Sequence, residues 1–123
     1  MTQPLALLYY ERLMPGSQLA NRLQDLKYRV LTVNNIASLG EIARREQPLF
    51  LMVDLETRGA VMETIQTIKA DSSTSHLPII AFAPHKKSEL FAAAQNAGAS
   101  LIIGETALAS HLPQLLDQAM HLD

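Results

Sequence analysis

The sequence predicts a single α/β domain built on a five-stranded parallel sheet with helices on both faces. Three observations carry this. Short unbroken apolar runs alternate along the chain with stretches of helical period, the pattern of successive strand and helix units. One run, Leu49-Phe50-Leu51-Met52-Val53, is apolar at every position and ends in Asp54, as a central parallel strand covered on both faces does. The 123 residues contain no internal repeat, linker or low-complexity tract, so residues 1–123 read as one domain with a core of its own.

Taken in order, Leu5-Ala6-Leu7-Leu8-Tyr9-Tyr10 is the first strand, and Met14-Pro15-Gly16-Ser17 the turn into a helix repeating Leu19, Leu23 and Leu26 on one face. Arg29 to Val33 is a more polar second strand, suited to a sheet edge. Ser38 and Glu41 have capping-box spacing at the start of a short second helix carrying Leu39, Ile42 and Ala43. The Asp54 strand is third. After it, Val61, Ile65 and Ile68 recur at helical spacing, and Asp71 to His76 is a polar loop. Pro78-Ile79-Ile80-Ala81-Phe82-Ala83 is the fourth strand, its proline at the first position, where a missing donor is tolerated. Ser88 can cap a fourth helix whose Leu90, Ala94 and Ala97 form the buried face, with Gly98 as its left-handed stop.

Leu101-Ile102-Ile103 is the fifth strand, and a last helix sets Leu112, Leu115, Leu116, Ala119 and Met120 on one side. With Ser110 as its cap, Pro113 falls in the first turn, where the absent N–H has no intrahelical partner to lose. From Leu108 through Leu122 the apolar positions of this helix spread over about 160° of arc, wider than a packed stripe needs. Right-handed crossovers then join five strands and five helices into the layered sheet.

Composition excludes several classes of function. There is no cysteine, hence no disulfide, thiolate metal site or thiol nucleophile. A net charge of −2 with both signs scattered gives no footprint for nucleic acid; the adjacent basic pairs Arg44-Arg45 and Lys86-Lys87 fit solvated faces. The longest apolar run, Leu5 to Tyr10, is far too short to span a bilayer, and the expected location is the cytoplasm. His76, His85, His111 and His121 have no metal-ligand spacing, and neither a G-x-S-x-G elbow nor a Gly-rich phosphate loop is present. The expectation is a protein that is not an enzyme and carries no cofactor or metal. It begins at Met1 and has no trailing linker, which points to a stand-alone protein. In open α/β sheets ligands bind at the carboxyl ends of the strands, so the surroundings of Asp54 decide the chemistry.

Glu46-Gln47-Pro48-Leu49-Phe50-Leu51-Met52-Val53-Asp54-Leu55 resembles the third-strand signature of response-regulator receiver domains, in which a Pro-led apolar strand delivers the phosphoacceptor aspartate. Leu77-Pro78-Ile79-Ile80-Ala81-Phe82-Ala83 is similar to their fourth strand, and Asn96-Ala97-Gly98-Ala99-Ser100 to the end of their fourth helix. The resemblance spans the chain and implies a flavodoxin-like (βα)5 three-layer sandwich with strand order 2-1-3-4-5.

It also implies what is missing. A working receiver places an acidic pair at the end of its first strand, because magnesium takes hard oxygen ligands and neutralises the incoming phosphoryl charge. The matching positions here are Tyr9 and Tyr10. The Ser/Thr that hydrogen-bonds the phosphoryl oxygen corresponds to Ala83, the lysine after the fifth strand to Gly104 or Glu105, and the switching aromatic to Ile102. What survives is Asp54, with Glu56 two residues on and Glu11 just past the first strand. Phosphoryl transfer rests on positioning and on neutralising moving negative charge, so this vestigial pocket predicts no efficient phosphorylation.

The resulting expectation is a pseudo-receiver: a non-catalytic interaction module of signal transduction. Receivers associate through the fourth helix, fifth strand and fifth helix, so the resemblance implies a signalling partner or a homodimer on that face, with Leu108, Leu115 and Met120 as candidate contacts and Ala92, Ala93 and Ala94 as a smooth flank. Two alternatives stand beside it. Asp54 could accept a phosphoryl group after all, with Glu11 swinging inward to hold magnesium beside Glu56; or the crevice at the strand ends could hold a small molecule, as flavodoxin-like folds do. For the tyrosines, the plain reading packs one under a helix and leaves the other capping the sheet edge with its hydroxyl wet.

Overall fold

The computed structural model describes residues 4–11, 13–56, 60–84 and 88–120, with the side chains of 13–15 and 88 outside the description. The elements run β1 (Leu5–Tyr9), α1 (Leu13–Asp25), β2 (Arg29–Val33), α2 (Ile36–Glu46), β3 (Phe50–Asp54), α3 (Val61–Ala70), β4 (Ile79–Ala83), α4 (Ser88–Ala97), β5 (Leu101–Gly104), α5 (Glu105–Ser110) and α6 (Leu112–Met120). All five strands are parallel and lie in the order β2-β1-β3-β4-β5, the flavodoxin-like arrangement expected from the sequence. The readings on His85, His121, Leu122, Lys86-Lys87 and the Ser88 side-chain cap fall outside the described residues.

Burial follows position in the sheet. Every residue of β1, β3 and β4 is buried, whereas the edge strands β2 and β5 are partly exposed. Alternation along the inner strands divides the core in two. Leu7, Tyr9, Leu51, Val53, Ile79 and Ala81 meet Leu39 and Ala43 of α2, Val61, Ile65 and Ile68 of α3, and Ala94 and Ala97 of α4. Ala6, Leu8, Phe50, Met52, Ile80 and Phe82 meet Leu19 and Leu23 of α1, Leu108 of α5, and Leu112, Leu116 and Ala119 of α6. Each large side chain so buried contributes about 1.5–3 kcal/mol. Tyr28 reinforces the second layer with its ring edge-on to Phe50, centroids 5.3 Å apart.

Five local expectations are corrected. Met14 to Ser17 lie within α1, because Pro15 in a first turn has no N–H to lose. Leu26 falls past the end of that helix, which Lys27 turns toward β2 at φ +73, and is 37% exposed. The cap of α2 is Asn35, whose Oδ1 accepts from the Ala37 N–H at 3.1 Å; Ser38 sits inside the helix and donates to the Asn35 carbonyl. The last helix is two, broken at His111 (φ −125, ψ 33). Pro113 cannot donate to Ala109 and would crowd its carbonyl, so one continuous helix is blocked and Pro113 falls in the first turn of α6. Leu49, the first residue of the apolar run, precedes β3 and is 44% exposed.

Two glycines behave oppositely. Gly98 ends α4 at φ +113, and a Cβ there would lie 3.1 Å from Lys69 Cγ. Gly40 lies inside α2, where a Cβ would come no nearer than 3.9 Å to Ile68. Gly98→Ala should therefore cost about 1–2 kcal/mol, and Gly40→Ala should add about 0.4–1 kcal/mol, both read from urea unfolding midpoints.

After α3, Asp71 organises the loop by accepting from the Ser73 N–H at 2.9 Å and the Ser73 hydroxyl at 2.8 Å, and it pairs with Arg44 at 3.3 Å. The Ser73 backbone and hydroxyl hydrogen bonds, and then the Arg44 charge, hold the Asp71 carboxyl below its ordinary range. A carboxyl depressed on folding contributes stability that is fully present above its unfolded pKa and disappears as pH falls through its folded value. Acid unfolding should accordingly lose a component below the ordinary aspartate range that Asp71→Asn removes, measured as unfolding free energy against pH.

Candidate functional site

At the carboxyl ends of the inner strands, register brings the sequence-identified positions together. Tyr9 of β1 pairs with Val53 of β3, Asp54 with Phe82 of β4, and Ala83 with Gly104 of β5. Gly104 is thus the strand-end residue beside Ala83, and Glu105 follows as the first residue of α5. Asp54 has no solvent-exposed surface, and its Oδ1 accepts from the Glu56 N–H at 2.9 Å, turning the chain out of the strand. The same turn is held by the Leu55 N–H donating to the Phe82 carbonyl at 2.8 Å.

The two tyrosines lie on opposite faces. Tyr9 is fully buried with the α2, α3 and α4 side chains, and its hydroxyl donates to Glu11 Oε2 at 2.5 Å. Tyr10 is half-buried on the other layer, its ring over Gly16 of α1, where even a methyl group would overlap it. Since β1 is interior, neither tyrosine caps a sheet edge. Asp54 follows the alternation of Phe50 and Met52 and so belongs to the layer of Tyr10.

Glu11 is exposed and Glu56 half-buried. Among the described residues, no group of three or more His, Cys, Asp or Glu side chains is placed to hold a metal ion, so Asp54, Glu11 and Glu56 do not form such a set. No described helix is long and apolar enough to cross a membrane. On the candidate contact face, Leu115 and Met120 are half-buried on α6, but Leu108 is completely buried in α5 and belongs to the core. Its assignment to an outer surface assumed one continuous final helix, and the break at His111 removes that premise. Ala92 is exposed, Ala93 half-buried and Ala94 buried.

The Tyr9 to Glu11 hydrogen bond is absent from a reading of residue types, although its signal is present: residues two apart leaving a strand share a face. Tyr9→Phe should cost about 0.5–1.5 kcal/mol by leaving a carboxylate oxygen without this donor, and Tyr9→Ala about 3–5 kcal/mol by emptying the core, both from chemical denaturation.

No protein-family model matches the sequence, and a search of curated proteins finds no significant relative. Solved structures do match. The receiver domain of a sensor histidine kinase from Pseudomonas aeruginosa, which holds a magnesium ion in its active-site cleft, superposes with a TM-score of 0.87 at 18% identity, covering 97% of this chain and 98% of that one. The chemotaxis response regulator CheY4 of Vibrio cholerae gives 0.83 at 16% identity over 96% and 99%. The signal receiver domain of a modulated diguanylate cyclase from Desulfovibrio desulfuricans gives 0.80 at 24% identity over 97% and 94%. The chain therefore has the receiver fold.

Proposed function

We propose that this chain is a pseudo-receiver: a receiver-fold module of signal transduction that works by binding a protein partner and does not carry out magnesium-dependent phosphoryl transfer. The observation that carries this reading is the complete burial of Asp54. An acceptor carboxylate must meet its phosphodonor in line, and one with no exposed surface and one oxygen already engaged by the Glu56 N–H is withheld from attack.

The surrounding residue types support it. Where the receiver pattern supplies metal ligands, a hydroxyl and an ammonium, this chain supplies Tyr9, Tyr10, Ala83 and the Gly104-Glu105 pair. Developing charge on a phosphoryl group is stabilised by cations and oriented donors, and a phenol ring, a methyl group and a second carboxylate replace them here. The working surface in this reading is the helical coat. The face formed by α4, β5 and α6 suits a signalling partner or a second copy, with Ala92, Leu115 and Met120 reaching solvent in part and the edge strand Leu101–Gly104 half-buried beside them.

Incubated with acetyl phosphate and magnesium, the intact protein should keep its mass, and magnesium alone should leave its melting temperature unchanged. A mass gain of one phosphoryl group that disappears in Asp54→Asn would overturn the reading in favour of an active receiver.

A further inference from the structure

A concavity whose lining includes none of the strand-end positions around Asp54 lies in the crease between α2 and α3. It encloses about 390 Å3, the small end of ligand-sized clefts. Ala37 and Gly40 of α2 and Ile68 of α3 give it a small, apolar floor. Apart from Arg44, the polar side chains around that floor accept hydrogen bonds and have few protons to offer. Thr64 and Thr67 direct their hydroxyl protons back along their own helix, to the Ala60 and Glu63 carbonyls, each at 2.9 Å. Glu41 and Glu63 line the crease from either helix, with no hydrogen bond or ion pair from their side chains to any described residue.

The charge of the lining follows directly. Glu41, Glu63 and Asp71 bring three carboxylates against one guanidinium, Arg44, which is itself held by Asp71 at 3.3 Å. A surface of acceptors and excess negative charge, already seating one guanidinium of its own, is complementary to a further donor-rich cation. An arginine fits better than a lysine, because its planar fork can address two carboxylates while its aliphatic stem lies along apolar surface.

We propose that the α2 and α3 crease docks a basic peptide segment of a protein partner, an arginine of that segment reaching Glu41 and Glu63 with its stem over Ala37, Gly40 and Ile68. This surface is separate from the α4, β5 and α6 face, and the inference does not depend on whether Asp54 accepts a phosphoryl group.

The test is an amide chemical-shift titration of the whole chain with a blocked alanine-rich peptide carrying arginine, and with its citrulline counterpart, which keeps the shape and removes the charge. The arginine peptide should give saturable shifts centred on Ala37, Gly40, Glu41, Thr64 and Thr67, and citrulline should weaken binding by about tenfold or more. Glu41→Gln with Glu63→Gln should weaken it comparably, whereas Arg44→Gln, which releases Asp71 from its internal partner, should tighten it severalfold. Equal binding of the two peptides, shifts centred elsewhere, or indifference to both sets of variants would overturn the proposal. So would self-association of the free chain, seen by sedimentation, that Glu41→Gln with Glu63→Gln abolishes, because the crease would then belong to a second copy.

Discussion

Burial of the three inner strands on both faces is the constraint from which the rest of the molecule follows. Helices must cover each side of β1, β3 and β4, and so whatever stands at the carboxyl ends of those strands stands at the rim of a dry core. Asp54 ends β3 inside that rim. A carboxylate there loses hydration that only hydrogen bonds or opposite charge can replace, and the Glu56 N–H is one such replacement. A receiver exploits the same dryness, since electrostatic stabilisation of a transferring phosphoryl group is stronger out of water. The same dryness raises the cost of every added negative charge that no cation offsets.

Tyr9 shows how the core can close over the end of an interior strand. Its ring adds to the apolar layer with Leu7, Val53 and Leu55, while its hydroxyl reaches the exposed Glu11. A side chain that is apolar along its body and polar at its tip can end a buried strand without leaving an unpaired group. The two demands at a strand end, filling space beneath a helix and satisfying a polar tip near water, are thus met by one residue. Ala83 of β4 lies in the same layer and contributes only packing.

The sequence made the sheet legible because its signals there are strong. A run apolar at every position has one economical explanation, and Arg29 and Thr32 mark β2 as an edge. Register also brings Asp54, Ala83 and Gly104 to the same end of the sheet, Asp54 beside Phe82 and Ala83 beside Gly104. Helix boundaries were less legible because capping signals compete. Asn35 and Ser38 are both good caps, and the choice went to Asn35, whose extended backbone aims its side chain at the Ala37 N–H. Leu108 keeps helical spacing with Leu112, Leu115 and Leu116, so periodicity alone runs through the break that Pro113 imposes at His111. The α2 and α3 crease left no pattern at all, because its residues converge from two helices that only the fold brings together.

Along the crease, local helix preference is also set aside. Gly40 lies within α2 although alanine would suit that backbone better by about 1 kcal/mol. Thr64 and Thr67 occupy helix positions where β-branching restricts the side chain, and their hydroxyls fold back on carbonyls four residues earlier, an arrangement that slightly weakens a helix. None of these choices is needed for the core, which α2 and α3 build from Leu39, Ala43, Val61 and Ile65, with Ile68 shared between core and crease floor. Together they keep the cleft between the helices shallowly lined and rich in acceptors. Residues that depart from the local optimum without serving the core mark places where something other than stability is being maintained. In this fold they lie along a surface lined by Glu41 and Glu63, whose carboxylates have no partner among the described residues, the arrangement that the proposed docking of a cationic segment requires.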